Sequence, residues 1–176
     1  MKPERLLVPI DIVKCPIEVF DLVNGFAKRP EVTVVLLHVV TVNVAAPENR
    51  VYEELGREAH WHLEKLARKF LHPLASTLTH VRAGDPADQI LAEAEAESTD
   101  LILLPTYGPS FWNRVRALWK PGAGSIVSRL AEKVIRAAKC GVFIIQAKTC
   151  FDCEAAWGRP PLSEVRGHRL SPSPAA

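Results

Sequence analysis

Asp11, at the end of the first apolar run, and Gly122-Ala123-Gly124-Ser125, ahead of a helical pattern, are where this chain gathers the means for chemistry on a phosphorylated ligand. A carboxylate at a strand end accepts from a ribose hydroxyl, holds a phosphate-bound cation, or caps the turn that follows it; all three roles fit Asp11. Glycines let backbone N–H groups approach a phosphate, and a helix start adds the positive end of its dipole. Ser125 either donates its hydroxyl to such a ligand or serves as an ordinary N-cap. Arg114, Arg116 and Lys120 supply charge on the same stretch. From Gly108 to Cys140 there are seven basic residues and one acid, +6, which leaves −4 for the remainder. A basic segment on an acidic background is a candidate anion site, although its helical part equally suits a solvated helix face.

The other chemistry-bearing side chains fit quieter roles. His38 falls inside an apolar strand pattern and reads as a hydrogen-bonded core histidine. His60 and His62 lie two apart on a helical pattern, so they cannot share a face as a metal pair. Trp61, between them, suits packing or a contact surface. Four cysteines make no disulfide framework in a chain of 176 residues. Cys15 and Cys140 read as small buried hydrophobes. Cys150 and Cys153 form a lone C-x-x-C, half of a tetrahedral zinc site with no second half, and read as incidental thiols of a tail.

Alternating strands and helices must position these groups. Leu6 to Ile10 is a short continuous apolar run, as a strand covered on both faces requires. Ile17, Phe20, Val23 and Phe26 recur at helical spacing, and Val32 to Val40 is a β-branched strand. Leu55, Ala59, Leu63, Leu66 and Phe70 mark a long second helix, and Thr77 to Ala83 a third strand. Gly84-Asp85-Pro86 opens a third helix with Asp85 as N-cap and Pro86 at its first position. Asp100 to Pro105 is a fourth strand, a helix is expected from about Gly124 to Lys139, and Val142 to Ile145 is a fifth strand. Five strands with four helical crossovers imply an α/β fold: an open parallel sheet with helices on both faces. In such sheets ligands sit beyond the carboxyl ends of the strands where the strand order reverses. Residues 1–147 form this domain. From Lys148 periodicity is lost and Pro, Arg and Ser accumulate, so 148–176 is expected to be a disordered tail.

Length and composition set the class. Hydrophobic residues make up 48% and charged residues 24%, with a net charge of +2, ordinary for one globular domain. Near-neutral charge argues against a general nucleic-acid coat, and no apolar stretch is long enough to cross a membrane. The opening residues are too charged for a secretory leader, so a cytoplasmic location is expected.

Leu7-Val8-Pro9-Ile10-Asp11, Val34-Val35-Leu36-Leu37-His38-Val39, Gly84-Asp85-Pro86, Asp100 to Leu104, Ala131 to Arg136 and Cys140-Gly141-Val142 occur in the order found in the universal stress protein family, which the sequence resembles over about residues 3–147. The resemblance implies a Rossmann-like five-stranded sheet of order 3-2-1-4-5, usually a homodimer, in a stress-response regulatory or signalling protein. One branch of the family binds ATP, which the resemblance would place, with Mg²⁺, against Pro9, Ile10 and Asp11 at the first strand, Val39 at the adenine, and a glycine motif after the fourth strand; another branch lacks the motif and binds no ATP. That motif, Gly-x2-Gly-x9-Gly-[Ser/Thr], places its first glycine on Pro105 and its second on Gly108. Its third falls on Gly124, followed by Ser125, after a spacer of fifteen residues instead of nine; counting back from Glu132 instead puts the third glycine on Ser128 and the hydroxyl on Arg129. Pro105 has no N–H and adds a ring where the family offers bare backbone. The lengthened loop brings Phe111, Trp112 and Trp119 to close over the site or to fill it. The apolar fifth strand, Val142 to Ile145, lies at the sheet edge in the family order, where pairing with a second copy would cover it. An enzyme of a related α/β family, hydrolysing ATP slowly or transferring a nucleotidyl or phosphoryl group, is the alternative; no P-loop signature supports it. A protein partner is expected but not named by any motif.

Overall fold

The computed structural model describes residues 3–28, 31–41, 49–107, 129–147 and 149–159. Its elements in chain order are β1 (Arg5–Pro9), β2 (Cys15–Pro16), α1 (Glu18–Phe26), β3 (Thr33–Val40), α2 (Asn49–Phe70), β4 (Ser76–Ala83) and α3 (Pro86–Ala96). These are followed by β5 (Leu101–Tyr107), α4 (Arg129–Ala137), β6 (Gly141–Ala147), β7 (Cys150–Phe151) and α5 (Cys153–Trp157). Five strands form a parallel sheet of order β4-β3-β1-β5-β6, and β2 pairs antiparallel with β7 outside it. Counting the five sheet strands alone, this is the expected order 3-2-1-4-5, since the two-residue β2 only shifts the labels.

The apolar runs are continuous because both faces of the sheet are covered. Along β3, Val34, Leu36 and Val40 join the cluster under α1 and α2, whereas Val35 and Leu37 join the cluster under α3 and α4. Val8, Leu103 and Phe20 fill the first cluster; Leu7, Ile102, Leu104, Ile90 and Val134 fill the second. Helix α3 starts as its sequence dictates: Asp85 Oδ1 accepts from Ala87 N and Asp88 N, both at 3.1 Å, and Pro86 needs no donor at the first turn. Gly84, just before, has φ of 141°, and its N–H donates to Val40 O at 3.0 Å. A side chain there would be strained and would press on Gln89, 3.0 Å from the added Cβ.

The disorder expected from residue 148 does not hold for 149–159. Cys153 is fully buried in the first cluster, and Phe151 and Trp157 pack against it. Phe151 meets Phe70 edge-on at 5.7 Å and Trp157 at 5.1 Å. Cys153 is therefore a core residue and not a tail thiol, and burial pushes its pKa up to about 12, so it stays a neutral thiol at neutral pH. Residues 160–176 lie outside the described residues.

His62, 1% exposed, stacks on Trp157 at 6.2 Å and lies edge-on to Trp61 at 5.0 Å. Neither ring nitrogen has a hydrogen-bond partner. Burial holds its pKa below the ordinary value, so the unfolded chain takes up the proton first and stability is lost as pH falls below about 6.5. His62→Leu keeps the volume and removes two unsatisfied polar atoms; it should raise unfolding free energy by about 1–3 kcal/mol. The gain should be larger at pH 5.5 than at 7.5, and an equal difference between variant and wild type at the two pH values, read by chemical denaturation, would refute this account.

Candidate functional site

The sheet itself makes the site. Strand β1 pairs with β3 along its whole length, from Arg5↔Thr33 to Pro9↔Leu37, but with β5 only at Leu6↔Leu101 and Leu7↔Ile102. Beyond Leu7 the two central strands part, at the point where strand order reverses, and a crevice opens at their carboxyl ends. It is a cleft of about 550 Å³, within the range of small-molecule sites. Pro9, Ile10 and Asp11 form one wall, Leu37 to Thr41 another, and Leu104, Pro105 and Thr106 a third. Pro86, Ile90 and Leu130 close it from the α3 and α4 side.

Four residues expected to contact a ligand, Pro9, Ile10, Asp11 and Val39, are thus brought together. Gly108, Gly124 and Ser125, together with Phe111, Trp112, Trp119 and the basic Arg114, Arg116 and Lys120, lie outside the described residues. Ile90 and Leu104, which the sequence places only in a helix and a strand, complete the cleft together with Thr106, which follows the fourth strand at the end where a ligand is expected. Their signal was the switch point, since all three sit one helix or one strand away from Asp11 across the reversal. The Pro105 ring lines the cleft where the family motif has its first glycine.

Asp11 is exposed, and its Oδ1 accepts from Val13 N at 3.0 Å. The carboxylate therefore does cap its turn, and it does so from the cleft wall. His38 is the hydrogen-bonded histidine its strand position predicts: Nδ1 donates to Ile10 O at 2.8 Å. Because a carbonyl only accepts, that nitrogen carries the proton. Burial keeps the ring neutral by lowering its pKa against the raising influence of Ile10 O and Asp11. The same Ile10 donates its N–H to Leu37 O at 2.7 Å, so β3 fixes the start of the Asp11 loop from two sides.

Lys133 and Arg136 of α4, and Lys139 just beyond it, are engaged in ion pairs. Lys133 Nζ lies 2.7 Å from Asp88 and 3.1 Å from Asp85, which places it at the start of α3; Lys139 pairs with Glu95 and Arg136 with Glu132. These three cations of the basic segment form a solvated, paired face.

Away from the cleft, sequence reasoning missed a buried ionic group between β4 and α3. Glu93, 2% exposed, accepts from His80 Nδ1 through Oε1 and from Arg82 Nε through Oε2. Burial works against the Glu93 carboxylate, but these two hydrogen bonds outweigh it and hold its pKa below the ordinary range. The hydrogen bond to Glu93 in turn raises that of His80. His80, Glu93 and Glu97 offer ligand atoms within 4.8 Å of one another, a metal-like spacing. Arg82 already occupies Glu93, however, and Arg5 lies 2.8 Å from Glu97, so the group is a charge-paired network. Its signal was present: Glu93 falls on the buried stripe of Ala87, Ile90 and Ala94, where a carboxylate demands partners.

The comparisons with known proteins agree with this fold. A curated relative, universal stress protein MJ0531 of Methanocaldococcus jannaschii, is 25% identical over 155 residues, covering 81% of this chain and 82% of its own. The solved structure of hypothetical protein MJ0577 superposes with a TM-score of 0.66 at 21% identity, covering 84% of this chain and 99% of that one. The universal stress protein from Archaeoglobus fulgidus in complex with dAMP gives a TM-score of 0.53 at 17% identity, covering 83% of this chain and 100% of that one. These likenesses concern the fold. The family model described as "Universal stress protein family" matches residues 3–146, nearly the whole described sheet with its helices, and the chain belongs to that family.

Proposed function

We propose that this protein binds an adenine nucleotide, ATP with Mg²⁺, in the cleft between β1 and β5, and that it acts as a stress-response binding or signalling module. One observation carries the reading: an apolar slot of about 550 Å³ opens at the switch point with a carboxylate on its wall. Val39, Ile90 and Leu104 offer flat apolar contact suited to an adenine ring, and Asp11 offers an acceptor suited to a ribose hydroxyl. The bound dAMP of the Archaeoglobus relative supports this class of ligand. Gly108, Gly124 and Ser125 take the phosphates in this reading, on a lip altered by Pro105 and by its length. Isothermal titration of the full chain with ATP and Mg²⁺ tests it: a saturable heat at one site per chain is expected, and a flat trace at high protein concentration overturns it.

The free edge of the sheet supports a homodimer. Among the described residues strand β6 is an edge strand, and Phe143 on it is 51% exposed. An apolar edge with an unpaired row of backbone groups favours association, and a second copy of Val142–Ile145 would cover it. Val142 and Ile144 also pack against the core under α3 and α4, so substitutions there would disturb the fold itself. Phe143→Lys avoids that difficulty. It should convert a dimer to monomer in sedimentation velocity at unchanged thermal stability; an unaltered sedimentation coefficient would rule out this edge as the interface. A cytoplasmic location goes with the same reading, and among the described residues no helix is long and apolar enough to cross a membrane.

A further inference from the structure

The C-terminal segment 149–157 lies beyond the family match, which ends at residue 146, yet it is bound to the loop that carries Asp11. Three sets of contacts make the attachment. Strand β7 pairs antiparallel with β2, Cys15 opposite Phe151 and Pro16 opposite Cys150. Cys153 N–H donates to Ile12 O at 3.1 Å, one residue past Asp11. Thr149 N–H donates to Glu18 Oε1 at 2.8 Å, at the first turn of α1. The segment is anchored from the other side by Phe151 and Trp157 on α2, with Lys65 and Lys69 lying 5.7 and 5.6 Å over the Trp157 ring. Asp152 caps the short α5 by accepting from Ala155 N at 3.0 Å, which sets Cys153 inward.

Residues 10–17 therefore have two holders. Strand β3 grips Ile10, and the C-terminal segment grips Ile12 to Pro16. Asp11 stands between the two grips. A loop that is held in its binding geometry before the ligand arrives loses less freedom on binding. When only a fraction of molecules has the competent loop, the apparent Kd rises by the inverse of that fraction.

We propose that residues 149–157 act as a strap that positions the Asp11 loop, so that a segment outside the family domain sets the affinity of the cleft. The affinity half of this inference rests on the nucleotide reading above; the positioning half does not. Thr149, Phe151, Cys153 and Trp157 are positioning residues, and none of them lines the cleft.

The test uses the full chain with Phe151→Ser and Trp157→Ser together, and Phe151→Leu as a milder variant in case the first disturbs folding. Hydrogen exchange is followed without ligand, and ATP–Mg²⁺ binding is measured by titration. In the double variant, amides of residues 12–15 should lose their protection and exchange at least ~10-fold faster while those of β1 and β3 stay protected, and Kd for ATP should rise by the inverse of the fraction of molecules that keeps the loop held, at least ~3-fold. The milder variant should show both changes, smaller. Unchanged exchange at residues 12–15 overturns the strap. Faster exchange with unchanged affinity overturns its control of the cleft. If the unmodified chain binds no ATP, the nucleotide reading and the affinity half both fall, and the exchange result alone decides the positioning half.

Discussion

Glu93→Ala is expected to lower the unfolding free energy by about 3–5 kcal/mol, because it leaves a buried guanidinium without its counter-charge. Arg82 is itself only 8% exposed, and Glu93 is its ion-pair partner on α3. Removing one member of a buried pair costs more than the pair ever contributed, since the survivor keeps its desolvation penalty. Replacing Arg82 as well, as Glu93→Ala with Arg82→Met, should therefore recover much of the loss. The pH dependence carries a second signature. His80 has a raised pKa in the fold, so its share of the stability is present below about 6.5 and is lost as pH rises through the folded value. Glu93 has a lowered pKa, so its share is present above about 4.3 and is lost as pH falls. The difference in stability between wild type and Glu93→Ala should accordingly be greatest between these two values and narrow on either side. A denaturant series across pH 4 to 8 measures it. A difference below about 1 kcal/mol throughout would mean that the carboxylate is solvated rather than buried.

That network shows where the sequence stops being readable. Each strand of the sheet announces itself through a local run, such as Val34 to Val40, whose length and β-branching need no partner to be recognised. Asp85 and Pro86 announce a helix start in the same local way, and the described helix begins there. His38 was legible because one polar residue in a buried strand must find a carbonyl, and it found Ile10. Glu93 belongs with Arg82 and His80, eleven and thirteen residues back on another element. The buried stripe shows that Glu93 needs partners but not which residues they are. The strap failed for a similar reason. Phe151, Cys153 and Trp157 follow neither a helical nor a strand period, and their partners are more than eighty residues away, on α2 and the Asp11 loop. Short segments stabilised by docking carry little signal of their own. For the cleft, the strand ends were readable and the widening of the crevice was not. It depends on β1 and β5 pairing at only two positions, a property of sheet twist and register that no single run encodes.

Val39→Trp should abolish nucleotide binding while sparing the fold, by filling the cleft from its own wall. Val39 sits one residue before the end of β3, is half-buried, and packs against the cluster under α3 and α4 on the face that Ile90 and Leu104 share. Because residues alternate along a strand, its side chain points to the same side as Leu37, which forms the cleft floor. An indole at this position occupies the slot assigned to the adenine. It gains apolar contact with Ile90 and Leu104, so it is accommodated without opening the core. Affinity for ATP should fall at least ~100-fold, about 2.7 kcal/mol of binding free energy. Leu78→Trp is the matched control: Leu78 is 38% exposed on the edge strand β4, and the same enlargement there should leave affinity unchanged. Both variants are compared by titration and thermal melting. Tight ATP binding by Val39→Trp, with a normal melting curve, would place the nucleotide somewhere other than the crevice between β1 and β5. Weakened binding in both variants would trace the loss to general softening of the sheet and remove the special standing of this wall.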